Sequence, residues 1–256
     1  MSKGNGSTVC VVANAARSFL FPPRCVACGE LLHPCTPAHE IFCPLCRTAW
    51  EAAVAEAAEQ SVEDSARGSI YLTLYHSGRV GGVSERLVYH LKHRGSPRAF
   101  RFVAERLAHR LAGVSGSLPM RETDSDLDAP VLFTYPPRRR AAVRREGFDQ
   151  AKRLARAMSR AYAKGFTHEA EVRHVSLIRR THRPVREQKE LDAQGRAENA
   201  ARSFALTRRA AKIARGRVVV LCDDVCTTGA TLHRCAEQLV SAGARGVIFV
   251  TVARTD

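Results

Sequence analysis

The 256-residue chain is expected to fold as an α/β protein on a parallel sheet, with a small cysteine-bearing unit at its N-terminal end. Three observations carry this. Short apolar runs at Val131–Tyr135, Val218–Leu221 and Val247–Val252 have the character of buried strands, and loops and helical patterns separate them. The first two runs each end in a polar or charged turn ahead of a helix, as in βα units. Four of the nine cysteines form two C-x-x-C pairs, Cys25/Cys28 and Cys43/Cys46.

Composition narrows the classes. With 45% hydrophobic residues the chain can fill a core, and it has no apolar run long enough to span a bilayer, so no membrane insertion is expected. Lys3 precedes Val9–Val12, and Ala13-Asn14-Ala15 imitates a small-residue cleavage site. The apolar stretch is short and Arg17 follows at once, so residues 1–20 read as a tail or first helix rather than a signal peptide. Thiols at Cys222 and Cys226 flank two carboxylates, where a disulfide would distort the turn. Cysteine usage therefore suits metal thiolates in a reducing, cytoplasmic setting. Forty Lys+Arg against 25 Asp+Glu give a formal charge of +15, which attracts polyanions such as nucleic acid or a multiply phosphorylated substrate. Arg-rich solvated helix faces account for the same excess equally well.

Phe21-Pro22-Pro23-Arg24 leads into Cys25-Val26-Ala27-Cys28-Gly29, and Cys43-Pro44-Leu45-Cys46 closes the unit. Each C-x-x-C turn presents two thiolates on one side of a tight bend, and two such turns complete a tetrahedron. Residues 21–50 are therefore expected to form a zinc ribbon with structural Zn2+ on Cys25, Cys28, Cys43 and Cys46. Redox-active or merely buried thiols are the alternative. His33, Cys35 and His39 lie between the pairs and can replace a ligand or do nothing. The Ala/Glu-rich stretch from Thr48 to about Arg67 has helical propensity and a small apolar face, which suits a connector over 51–67.

The main domain, 68–256, begins with the alternating strand Ile70–Tyr75. Val83, Leu87, Val88 and Leu91 mark one face of a helix ending in Lys92-His93-Arg94-Gly95, and a second amphipathic helix spans Arg98–Leu111. Gly113–Asp128 has the composition of a surface loop. Pro136-Pro137 stops the strand Val131–Tyr135, and a cationic loop follows with Arg138, Arg139, Arg140, Arg144 and Arg145 before a helix over Ala151–Lys164. Val172–Ile178 can be a further strand, and Arg179–Asn199 reads as a mobile loop closed by a short helix.

The densest chemistry follows Val218–Leu221. Cys222-Asp223-Asp224-Val225-Cys226 leads into Thr227-Thr228-Gly229-Ala230-Thr231 and a helix over Ala230–Ala242. A helix N-terminus beyond a parallel strand presents free N–H groups and a positive dipole end to an anion. The threonine hydroxyls add donors, Gly229 permits close backbone approach, and the carboxylates suit ribose hydroxyls or a hydrated cation. This stretch resembles the phosphoribosyl-pyrophosphate (PRPP) loop of type I phosphoribosyltransferases. The alternative is a buried strand with an Asp-rich turn that caps a helix.

Several further pieces resemble ComF-type proteins in order: PPRCVACG, CPLC, LKHRG, RRRAAVRREGFDQAKRLA, the Gln188/Leu191/Arg196/Asn199 spacing and DDVCTTGATL. That resemblance implies an N-terminal zinc ribbon joined to a phosphoribosyltransferase-like domain. Two departures stand out: Tyr135-Pro136-Pro137 where the family typically has Pro-Val-Pro, and Asp149 where it typically has Asn. The second adds negative charge beside the expected anion site.

The two resemblances imply roles as follows. Asp223 and Asp224 would hold ribose and Mg2+ as catalytic residues, and Thr227, Thr228, Gly229, Ala230 and Thr231 the 5′-phosphate. Arg138, Arg139, Arg140, Arg144 or Arg145 would meet pyrophosphate, with Lys92 and Arg94 as second choice. The favoured role is an accessory factor in DNA uptake and natural transformation, with single-stranded DNA or a DNA-uptake helicase as partner. An active phosphoribosyltransferase of nucleotide salvage and a non-catalytic PRPP or nucleotide sensor are the alternatives.

Overall fold

The computed structural model of the chain describes residues 22–33, 36–37, 40–60, 70–76, 82–115, 131–166, 172–181 and 203–254. Helix α1 (Pro44–Gln60) begins within the second cysteine pair, and strand β1 (Ile70–His76) follows. Next come α2 (Val83–Tyr89), which continues as a π-helical turn over His90–Arg94, and α3 (Pro97–Ser115). After β2 (Val131–Thr134) lie α4 (Arg140–Glu146) and α5 (Gln150–Phe166), then β3 (Val172–His174), β4 (Ile178–Arg180) and β5 (Phe204–Leu206). The chain continues through α6 (Ala210–Ala214), β6 (Val218–Cys226), α7 (Ala230–Ser241) and β7 (Gly246–Arg254).

Among the described residues, five strands pair in the order β1-β7-β6-β2-β3, all parallel, and β4 and β5 form a separate antiparallel pair. Along β6, Val220 and Cys222 join the core on one sheet face with α3 and α5. Val219 and Leu221 face the opposite core, with Leu232 and Leu239 of α7. Burial on both faces explains why these strands read as continuous apolar runs. Strand order then locates a crevice. The chain passes from β2 to β3 on one side and later returns to place β6 on the other side of β2, so the switch point lies beyond the carboxyl ends of β2 and β6.

The cysteine unit packs into the same core. Trp50 of α1 meets Phe42 at 5.9 Å and Phe102 of α3 at 5.0 Å between ring centroids, and the Arg106 guanidinium lies 3.3 Å from the Phe102 ring centroid. Arg86 of α2 donates to the Ala27 carbonyl (2.7 Å), and Arg98 donates to that of Glu40. The Glu40 carboxylate is buried, accepts the N–H groups of Ile41 and Phe42 and pairs with Arg47.

Four elements differ from the sequence expectation. The helix expected from Thr48 begins at Pro44 and holds Cys46 in its first turn. The helix over Val83–His93 widens into a π turn at His90 and stops at Gly95, whose φ of 59° is left-handed. The arginine stretch contains the seven-residue helix α4, closed by Gly147 at φ 78°. It buries none of its residues, so no apolar period announced it. The run Val172–Ile178 is split between β3 and β4, because Val175 N–H donates to Phe133 O (2.9 Å) and Leu177 N–H to Thr134 Oγ1 (3.2 Å), turning the chain across the end of β2. Cys35, His39 and the Gln188–Asn199 spacing lie outside the described residues.

Candidate functional site

The first lip of the crevice is the end of β6. Asp223 and Asp224 lie within the strand rather than after it, and Thr227, Thr228 and Gly229 form the turn into α7. Asp224 N–H donates to Asp223 Oδ1 (2.9 Å) and Val225 N–H to Asp224 Oδ1 (3.0 Å), which orients both carboxyls. Burial, then the charge and hydrogen bond of Asp224, push the Asp223 carboxyl well above the usual carboxylate range, and Asp149 adds to the shift. Two adjacent carboxyls offer hard oxygen donors, so this donor set fits Mg2+. Gly229 has φ 69° and precedes Ala230, the first residue of α7, while Thr227 and Thr228 are exposed.

The second lip leaves β2. Pro137, Arg138, Arg139 and Arg140 line a cleft of about 640 Å³ together with Ser176, Ile178, Arg179, Arg180, Thr181 and Ser203. Among the described residues its lining has neither a carboxylate nor an aromatic ring, which suits a multiply charged anion better than a stacked base. Of the cations proposed from sequence, Arg138, Arg139 and Arg140 line it, whereas Arg144, Arg145, Lys92 and Arg94 do not. Arg145 Nε instead lies 3.2 Å from Glu146 Oε1.

Sequence reasoning passed over Arg179 and Arg180, although paired arginines at the end of an apolar run were a visible signal. Arg180 Nε donates to Pro137 O (2.9 Å), and its guanidinium sits 4.6 Å from the Phe204 ring centroid, tying the β4–β5 pair to the proline turn.

The two cationic segments form one unit. Gln150 Nε2 donates to Lys92 O (2.6 Å), Gln150 Oε1 accepts from Arg138 Nη1, and Arg153 Nη1 donates to Gly95 O (2.7 Å). Asp149, expected to burden the anion site, has both oxygens on backbone donors: Oδ2 accepts Arg138 N–H (2.9 Å) and Oδ1 accepts Lys152 N–H (3.0 Å). It is the N-cap of α5 and holds the second lip in place. Tyr135, at the other departure, is buried with its ring 5.8 Å from and nearly parallel to His174.

The sulfurs of Cys25, Cys28, Cys43 and Cys46 lie within 4.8 Å of one another, with Cys28 and Cys43 3.7 Å apart. A tetrahedron of thiolates around Zn2+ has an edge of about 3.8 Å, so four soft donors at this spacing fit that ion. Burial raises the Cys25 thiol, but backbone N–H groups of Cys28, Cys43 and Ala27 outweigh it and bring it to about 7. His33 is exposed and is not part of the cluster. Cys222, Cys226 and Cys235 form no disulfide among the described residues and are buried thiols whose desolvation pushes their pKa values up.

Residues 141–256 match the Phosphoribosyl transferase domain family. With the parallel sheet and its switch point, this shows a phosphoribosyltransferase-like domain of the type I fold. No curated protein matches the chain. Similar solved structures include an asparagine mutant from an analysis of an invariant aspartic acid in HPRTs, at 14% identity and TM-score 0.37. The match covers 60% of this chain and 65% of that one, so the chain spans under two thirds of that structure's length. A hypoxanthine phosphoribosyltransferase from Trypanosoma cruzi in a ternary substrate complex shares 14% identity at TM-score 0.33, covering 60% of this chain and 67% of that one. A protein from Thermus thermophilus shares 20% identity at TM-score 0.32, covering 61% of this chain and 83% of that one. Likenesses this distant say nothing of substrate, and the class rests on the domain match and the strand order.

Proposed function

We propose that the domain binds PRPP with Mg2+ across the switch-point crevice and displaces its pyrophosphate. One observation carries this reading: β2 and β6 are neighbouring parallel strands, so the carboxyl pair near the end of β6 and the arginine loop after β2 leave the sheet at the same edge, and Asp149, which accepts the Arg138 N–H, also bears electrostatically on Asp223. In this reading Asp223 and Asp224 hold ribose hydroxyls and cation, and the turn Thr227–Thr231 holds the 5′-phosphate. Arg138, Arg139 and Arg140 take the pyrophosphate. Mg2+ would neutralise charge on the leaving group. The C1–O bond to pyrophosphate breaks with its electron pair on the leaving oxygen, an incoming nucleophile bonds to C1, and the nucleophile's proton is lost to solvent or a base. Orientation and charge neutralisation are what the chain supplies. A panel of nucleobases is assayed for pyrophosphate release from PRPP. Release with any of them supports transfer, while binding without release leaves a sensor.

A second reading is a ComF-type accessory factor of DNA uptake. Lys152, Arg156 and Arg160 are exposed at four-residue spacing on α5, a helix with no acidic residue, and all three bear electrostatically on His174. Such a row suits the backbone of single-stranded DNA. Binding measured against salt is expected to weaken with a log–log slope of at least about two if these cations contact phosphates. A flat slope contradicts direct contact.

A further inference from the structure

We propose that Gln150 is a positioning residue that presents the Arg138 guanidinium to an anionic group in the cleft while leaving its charge intact. The inference rests on the reading that the cleft takes the pyrophosphate of PRPP. Gln150 is 1% exposed and stands behind the cleft wall, whereas Arg138 lines it. Both ends of its amide are engaged: Nε2 donates to Lys92 O (2.6 Å) and Oε1 accepts from Arg138 Nη1. A flipped amide would set an NH2 group against a guanidinium and an oxygen against a carbonyl, so the partners dictate its orientation.

Backbone and side chain of Arg138 are thus held by adjacent residues, the N–H by Asp149 Oδ2 and the guanidinium by Gln150 Oε1. Arg145 offers the contrast. Its guanidinium pairs with the Glu146 carboxylate and is already neutralised, and it lies away from the cleft. A neutral amide holds a guanidinium in place without cancelling it, which leaves the remaining N–H donors and the full charge for a ligand. Because Gln150 also anchors the Lys92 carbonyl, it joins the π turn of α2 to the cleft wall.

The test compares full-length wild type, Gln150→Glu and Gln150→Met by calorimetric titration with inorganic pyrophosphate and with PRPP, each with Mg2+, using ribose 5-phosphate as control. Glutamate keeps the shape and the acceptor for Arg138 but neutralises that guanidinium, and it replaces the N–H donor to Lys92 O by an oxygen, a cost to the fold that the ribose 5-phosphate control registers. It should weaken pyrophosphate and PRPP by about tenfold or more and leave ribose 5-phosphate unchanged. Methionine keeps the charge, loses the orientation, and should weaken the same two ligands. If methionine prevents folding, the glutamate variant decides alone. Wild-type affinity in Gln150→Glu overturns the proposal, as does an equal loss for all three ligands, which would mean general damage to the fold. Failure of wild type to bind either pyrophosphate ligand overturns the PRPP reading and this inference with it.

Discussion

Gly95 lies directly against the ring of Phe148: a Cβ on residue 95 would fall 2.8 Å from Phe148 Cε1 and 2.7 Å from Arg153 Nη1. Two segments 53 residues apart meet there, the end of the π turn and the turn before α5. Arg153 then covers the Phe148 ring at 4.2 Å and bonds Gly95 O. Gly95→Ala adds left-handed strain to this clash, and we expect a loss of about 2–4 kcal/mol in urea unfolding. A loss below about 0.5 kcal/mol would show that the two segments are not clamped together.

Trp50 is the chain's single tryptophan, and it packs between the cysteine unit and α3. Intrinsic fluorescence therefore reports on that unit. Protein purified without chelator should carry about one zinc per chain, and a strong chelator should remove it with a red shift of Trp50 emission as the ring becomes hydrated. Full occupancy in Cys25→Ser with Cys43→Ser, or no metal in wild type, contradicts the assignment.

The raised pKa of Asp223 has two consequences. Its folded value lies above the unfolded one, so its contribution favours the fold below the unfolded value of about 3.9 and is lost as pH rises toward the folded value. Asp223→Asn should accordingly stabilise the ligand-free protein at neutral pH by roughly 1 kcal/mol, seen as a higher Tm. The proton must also leave before a cation enters, so Mg2+-dependent PRPP binding should strengthen with pH through the folded pKa and release protons, measurable as heats that differ between buffers. A lower Tm in the variant together with pH-independent binding in wild type would refute this account.

Asp149 holds two backbone N–H groups with two oxygens. Asp149→Ala is expected to cost about 1–2 kcal/mol in thermal or urea unfolding, and Asp149→Asn roughly half of that, since the amide oxygen still caps α5 while its NH2 cannot accept the Arg138 N–H. Equal effects would place its importance in charge rather than in capping.

These residues also show what the sequence made legible. The apolar strand leading into Asp223 and Asp224, the helix opening at Ala230 and the four-cysteine cluster were all legible, because each depends on local spacing along the chain, although β6 runs on past the carboxyls to Cys226. Which arginines face the cleft was not, because that depends on α4, a helix without a buried face, and on hydrogen bonds from Gln150 and Asp149 across the fold. The capping role of Asp149 was hidden for the same reason, although its charge does bear on Asp223 and on Arg180. Charge is visible in a sequence, but the backbone donors that engage it are not.

The central claim is that one crevice holds PRPP through the carboxyl pair of β6. Calorimetric titration of PRPP with Mg2+ into wild type and into the Asp223→Asn, Asp224→Asn double variant tests it most directly. A saturable heat in wild type that vanishes in the variant is the predicted result. The same heat in both, or none in wild type, would contradict it.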